Sequence, residues 1–271
     1  VVLGVGVGWG WVLLKGMKQT SRHWVGVPEQ LSARLDGAPV LTFDLPGTGG
    51  AADRRVPWSV PEMAQDVRAR WLPERGRAER WGLLGLSLGG MVSISWADQH
   101  PDELQLVVIG NTSARGAAWP QERLWWRSWP ALVRAIRTRD PVLRERRVLD
   151  LVCQTYGSGA RDQLALRYAE LTREEPFGLG AFARQLVAGS RYRAPKAIEV
   201  PLHVLSGARD TFVAPACSDR LARRFGAPLH RHPEAGHDLS LDAPEWLIDR
   251  LLFAMQSVDD QPQATSPPGR K

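Results

Sequence analysis

The run Gly85-Leu86-Ser87-Leu88-Gly89 sets a hydroxyl between two glycines, directly after the apolar stretch Trp81 to Leu86. A Gly-x-Ser-x-Gly turn from strand to helix forces the serine into a strained backbone conformation, and the glycines give the crossing backbone room. The hydroxyl then stands exposed at the N-terminus of the next helix, whose dipole favours developing negative charge. The plainer alternative is a turn in which Ser87 only caps the helix from Leu88 onward. A serine becomes a competent nucleophile when a base lies within hydrogen-bond reach and a carboxylate sets the tautomer of that base.

Both companions follow in the chain order such a turn requires, acid first and histidine last. "LHVLSGARDTFVAP" ends an apolar run at Ser206-Gly207 and carries Asp210 on the following loop. "HRHPEAGHDLSLDAPEWL" carries Gly236-His237 just before the last helical segment. Ser87, Asp210 and His237 are therefore the candidate catalytic residues. Asp238 is a rival acid, but adjacent residues usually point apart. His203 falls mid-strand, His100 ends a helix before Pro101, and His230 and His232 lie on the last strand, so each is read as structural.

Six β-rich runs must position these loops: Trp11-Val12-Leu13-Leu14, Val40-Leu41-Thr42-Phe43, Trp81 to Leu86, Leu106-Val107-Val108-Ile109, Leu202-His203-Val204-Leu205 and Pro228 to His232. Nearly all-apolar strands alternating with helices indicate an α/β protein whose parallel sheet is covered on both faces. Ser59 reads as an N-cap with Glu62 three residues on, Met91 to His100 as a helix, and a final helix begins near Pro244. The interval 113–199 breaks the alternation: it has apolar residues at helical spacing and no convincing strand, so it is an all-helical insertion. The expected division is 1–112 and 200–256 as two halves of the core, 113–199 as the insertion, and 257–271 as a disordered tail.

The composition is that of a globular chain, 44% hydrophobic and 24% charged over 271 residues. The N-terminal VVLGVGVGWGWVLL is too short to span a bilayer and lacks a basic leader, so it reads as a buried strand. Cys153 and Cys217 make neither a disulfide framework nor a zinc pattern, which points to a reducing, cytoplasmic setting without a metal. The formal charge of +6 is scattered arginine with no nucleic-acid-binding motif, so no nucleic-acid partner is expected.

The pieces "WVLLKG", "LTFDLPGTG", "GLLGLSLGGM", "VLSGARD" and "EAGHDLSLDAPEW" resemble the α/β-hydrolase superfamily from about Trp11 to Phe253, with lidded serine esterases that act on carrier-bound methyl esters among the similar members. The resemblance implies a mostly parallel sheet lacking its usual first two strands, no cofactor, and 113–199 as a lid. It also implies an oxyanion hole from the backbone N–H groups of Met17 and Leu88. Members usually carry His-Gly where this chain has Lys15-Gly16, and Lys15 is expected either to steer an anionic substrate or to point into solvent. Asp44 in "DLPGTG" is read as a turn residue.

Serine at the elbow argues against the dehalogenases and epoxide hydrolases that use aspartate there. It favours an ester or thioester cleaved through an acyl-enzyme. An acyltransferase or perhydrolase, or a slow-turnover ligand-binding sensor, are the alternative functions. Trp125, Trp126 and Trp129 are candidates for an apolar acyl pocket under the lid. The lid arginines between Arg115 and Arg147 raise an acidic acyl carrier protein as a partner, against the commoner explanation of a solvated face.

Overall fold

A computed structural model of the chain describes residues 8–124 and 126–260. In chain order the elements are β1 (Trp9–Leu14), α1 (Val27–Arg34), β2 (Val40–Thr42), α2 (Val60–Trp71), β3 (Arg80–Leu86), α3 (Leu88–Gln99) and β4 (Leu106–Gly110). Then come α4 (Pro120–Arg123), α5 (Trp129–Ile136), α6 (Pro141–Val152), α7 (Ser158–Glu174) and α8 (Leu179–Arg191). The chain closes with β5 (Leu202–Gly207), α9 (Ala216–Phe225), β6 (Leu229–His232), α10 (Leu239–Asp242) and α11 (Pro244–Asp259).

The six strands form one sheet in the order β2-β1-β3-β4-β5-β6, with every pairing parallel. Apolar side chains project from both faces because helices cover both. Val12, Leu14, Leu83, Val107, Ile109 and Val204 pack with α2, α3 and α9 on one side. Leu13, Leu84, Leu86, Val108 and Leu205 pack with α1 and α11 on the other. Trp71 meets Trp81 and Trp96 edge-on, with centroids 5.7 and 5.2 Å away, filling the edge of the first core.

The expected strands are present with ends displaced by a residue or two. β1 begins at Trp9, inside the apolar N-terminal stretch, whose residues 1–7 lie outside the described residues. α3 begins at Leu88, three residues before the expected start, because helical winding resumes immediately after the serine. Ser59 caps α2 by accepting the Glu62 N–H at 3.4 Å. The interval between β4 and β5 holds α4 to α8 and no strand.

The expected disordered tail is corrected at its start. Ser257 to Asp259 form the last turn of α11, held by the Ser257 hydroxyl on Ala254 O at 2.7 Å and by Arg80 on Asp259 at 2.5 Å. The remainder, 261–271, lies outside the described residues. Among the described residues no helix is long and apolar enough to cross a membrane, and Cys153 and Cys217 are buried free thiols.

Candidate active site

Strand β3 delivers Ser87 to the C-terminal edge of the sheet, where parallel strands leave their loops. Ser87 has φ 55° and ψ −118°, a conformation an L-residue adopts only when its surroundings impose it. The surroundings are steric. A Cβ at Gly85 would lie 2.3 Å from Gly89 O, and one at Gly89 would lie 2.4 Å from Leu14 O. Both glycines are needed for α3 to cross this close to β3 and β1.

The three candidate residues come together. His237 Nε2 lies 3.0 Å from Ser87 Oγ, and His237 Nδ1 lies 2.8 Å from Asp210 Oδ2. The other oxygen of Asp210 accepts the N–H groups of Phe212 and Val213 at 2.8 and 2.9 Å. With both oxygens occupied and only 1% of the residue exposed, the carboxylate has one orientation to offer the imidazole. Phe212 packs against the His237 ring at 4.9 Å.

Asn111, at the end of β4 and at φ 46°, spans the two later loops. Its Nδ2 donates to Gly236 O and His237 O at 2.8 Å each, and its Oδ1 accepts the Gly207 N–H at 2.9 Å. Asn111 is not among the residues expected at the site. Its one signal was an amide-bearing residue, tolerant of positive φ, directly after a core strand.

Met17 and Leu88, the expected oxyanion residues, both line the cavity onto which Ser87 opens. Gly16 brings the first loop against the serine, since a Cβ there would lie 3.1 Å from Ser87 Cβ. The loop is anchored by the residue the sequence left open. Lys15 neither steers substrate nor points into solvent. It is 3% exposed, donates to both Asp238 oxygens at 2.9 and 3.0 Å and to Ser240 Oγ at 2.5 Å, and lies 4.7 Å from the Trp24 ring centroid.

Asp238, the rival acid, thus faces Lys15 and Gln19 rather than the imidazole; the Gln19 amide donates to it at 2.8 Å. Burial works to raise the Asp238 carboxyl, but Lys15 and the hydrogen bonds from Ser240 and Gln19 hold it down at about 2. For Lys15 burial outweighs the pull of Asp238 and sets the ammonium below its ordinary range. Nearby His23 is lowered to about 4, by burial first and by Lys15 second.

Asp44 is the expected turn residue, accepting the N–H groups of Ser21 and Gly50 at 2.5 and 2.7 Å. The histidines read as structural do not line the Ser87 cavity, whereas His23 does: His203 stacks on His230 at 5.4 Å, His232 contacts Trp246 and His100 meets Gln65.

Ser87 and His237 open into a cavity of about 1300 Å³ between the sheet edge and the helical insertion. Its walls are mostly apolar and include Leu124, Leu132, Val148, Phe182 and Leu186. Trp129 lines it. Trp126 does not: 59% exposed, it faces outward from the turn before α5, so helical spacing misassigned its side. Trp125 lies outside the described residues.

The profile of the alpha/beta hydrolase fold family matches residues 12–244 of the chain. The chain is 27% identical over 260 residues to a Caulobacter segnis protein provisionally named carbamate hydrolase RutD, covering 91% of each. It is 29% identical over 234 residues to the pimeloyl-[acyl-carrier protein] methyl ester esterase of Chromobacterium violaceum, covering 83% of this chain and 86% of the relative. The crystal structure of the enol-lactonase from Burkholderia xenovorans superposes with a TM-score of 0.72 at 20% identity, covering 92% of both chains, a likeness of fold.

Proposed function

The chain belongs to the α/β-hydrolase fold family, and from that premise we propose that it is a serine hydrolase cleaving a carboxylic ester or thioester through an acyl-enzyme. The observation that carries the reading is the unbroken hydrogen-bonded line from Asp210 through His237 to a serine held at φ 55°. Protonated on Nδ1, His237 donates to Asp210 and offers the Nε2 lone pair to the Ser87 hydroxyl. As Ser87 Oγ bonds to the substrate carbonyl carbon, its proton passes to Nε2 and the carbonyl electrons move onto oxygen. Asp210 stabilises the resulting imidazolium, and the N–H groups of Met17 and Leu88 stabilise the oxyanion.

Collapse of this intermediate breaks the bond to the alcohol or thiol, which leaves with the proton from Nε2. Water then adds to the acyl-enzyme while giving its proton to Nε2, and a second collapse returns that proton to Ser87 Oγ as the acid departs. No step calls on a cofactor.

The volume and apolar walls of the cavity favour a long or bulky apolar acyl group. A thioester presented by an acidic carrier protein falls within the same reading, since Arg134, Arg137 and Arg139 are exposed on and after α5. Hydrolysis of p-nitrophenyl esters from acetate to long-chain acyl groups tests it. Turnover that rises with chain length and disappears in Ser87→Ala is expected. Equal, residual rates in wild type and Ser87→Ala across the series, on thioesters as well as esters, would overturn it.

A further inference from the structure

The lysine and arginine side chains that line the Ser87 cavity divide into two groups. Lys18 and Arg144 share Glu145, at 2.8 and 4.0 Å, and Arg220 is bonded to Glu122. Arg115, Arg123, Arg191 and Arg193 pair with no carboxylate among the described residues. All four belong to two segments, the one after β4 and the end of α8, and the fold stitches these together. The Arg115 N–H donates to Tyr192 O at 2.8 Å, and a β-bridge joins Arg115 to Arg193. The Arg193 guanidinium lies against Gly116, where a Cβ would be 3.1 Å from Nη1.

Arg123 is the member that solvation explains least. It is half-buried. Its Nη1 donates to Ser190 O at 2.7 Å and its Nη2 to Gly189 O at 2.5 Å, both carbonyls of the last turn of α8. Its Nε lies 3.4 Å from the buried Ser113 hydroxyl. These contacts fix the plane of the guanidinium but supply no negative charge, and they leave one hydrogen on each Nη. Burial first, and Arg115 as well, work to set the guanidinium below its ordinary range. A solvated surface accounts for the exposed Arg115, Arg191 and Arg193 taken singly. It does not account for a charge drawn into the wall of an apolar cavity, given carbonyls in place of a carboxylate, with a second guanidinium beside it. Like charges held together repel, and an oxyanion placed among them reverses that cost.

We propose that Arg123, with Arg115 and Arg193, forms an oxyanion-binding subsite of the Ser87 cavity, so that the preferred substrate is an ester or thioester whose acyl chain is apolar along its length and ends in a carboxylate or a phosphate. The inference rests on the serine-hydrolase reading and deepens it. The apolar walls take the methylenes, and the planar fork of Arg123 takes the terminal oxygens through its remaining Nη hydrogens.

The test is a specificity ratio. kcat/KM is measured for p-nitrophenyl monoesters of linear dicarboxylic acids, from succinate to sebacate, and for methyl-terminated esters of matched length. Esters ending in a phosphate monoester form a third series. The ratio of anionic to neutral ester should exceed unity only once the chain is long enough to reach Arg123 from Ser87. At its peak it should be about 10- to 100-fold, as for a hydrogen bond to a charged group. Arg123→Met should lower that peak by at least about tenfold, and Arg115→Met and Arg193→Met by several-fold each. Damage to folding or to the chemistry lowers both terms of the ratio and cancels. A merely structural part for Arg123, fastening the end of α8, would therefore leave the ratio alone.

A wild-type ratio at or below unity at every length, for carboxylate and phosphate alike, overturns the proposal, as does a ratio that Arg123→Met leaves unaltered. An advantage confined to one of the two anionic series supports the subsite and identifies the oxyanion. Should Arg123→Met not fold, Arg115→Met combined with Arg193→Met, both at exposed positions, carries the same test. Failure of the underlying reading has a different signature, in that no ester of any series would turn over. Titration calorimetry of Ser87→Ala with monomethyl and dimethyl suberate then still decides the subsite: tighter binding of the monoanion is expected, and equal binding is contrary to the proposal.

Discussion

At the scale of single residues, the buried pair Lys15–Asp238 explains two departures at once, the lysine before Gly16 and the carboxylate beside His237. Removing one partner of a buried, hydrogen-bonded pair leaves an uncompensated charge, so Lys15→Met is expected to lower stability by about 3–5 kcal/mol in urea unfolding. Lys15→Met with Asp238→Asn should recover part of that loss. The pair also gives the fold an acid-sensitive component. Asp238 is held at about 2 against an ordinary 3.8, so its contribution is complete above 3.8 and is lost as the pH falls through about 2. Thermal melting between about pH 4 and pH 2 should therefore decline more steeply in wild type than in Asp238→Asn. The same slope in both would remove Asp238 from the account. None of this was legible in the sequence: Lys15 and Asp238 stand 223 positions apart, and the type of a lone lysine says nothing of what it will meet. Ser87, Asp210 and His237 were legible because each sits at a fixed place relative to a strand, and strands announce themselves by composition.

At the scale of elements, the strand-turn-helix β3–Ser87–α3 depends on two missing side chains. Gly89→Ala would set a Cβ 2.4 Å from Leu14 O and 2.6 Å from Lys15 O, both backbone atoms of β1 and its loop that have nowhere to go. The helix must then back away from the sheet. A loss of about 1–3 kcal/mol is expected from such overpacking, together with loss of the proposed esterase activity at temperatures where the variant remains folded. Retained activity in a folded Gly89→Ala would mean that the close approach does not set the serine. The pattern Gly-x-Ser-x-Gly foretold this crossing, whereas the exact start of α3 was misjudged because Leu88 and the glycines after it carry no helical signal of their own. The insertion was legible as helical but not in its orientation. Apolar spacing on α4 to α6 does not distinguish a face turned to the cavity from one left in solvent, which is why it could not separate Trp129, on the cavity wall, from Trp126, in solvent.

At the scale of the whole molecule, the parallel sheet turns distance in sequence into proximity in space. β3, β5 and β6 all end on one edge, so Ser87 and His237, 150 residues apart, come within 3.0 Å. The helical insertion interrupts the chain between β4 and β5 and returns over that same edge, which encloses the cavity and brings Gln185 and Glu145 to the loop after β1. Core, turn and insertion thus meet at one point, the loop after β1. The order of strands followed from alternating composition, but the contact between insertion and turn joins Lys18 to Gln185, 167 residues away, through a single side-chain amide. No periodicity carries that information.

The proposed mechanism passes through a covalent intermediate at Ser87, and intact-mass spectrometry of the protein quenched in acid during turnover of a long-chain p-nitrophenyl ester tests for it most directly. A species heavier by the acyl group, localised to the peptide containing Ser87, formed in step with a burst of p-nitrophenol and absent from Ser87→Ala, is the expected result. Steady turnover with no acylated species and no burst, at a rate that Ser87→Ala shares, would contradict the central claim.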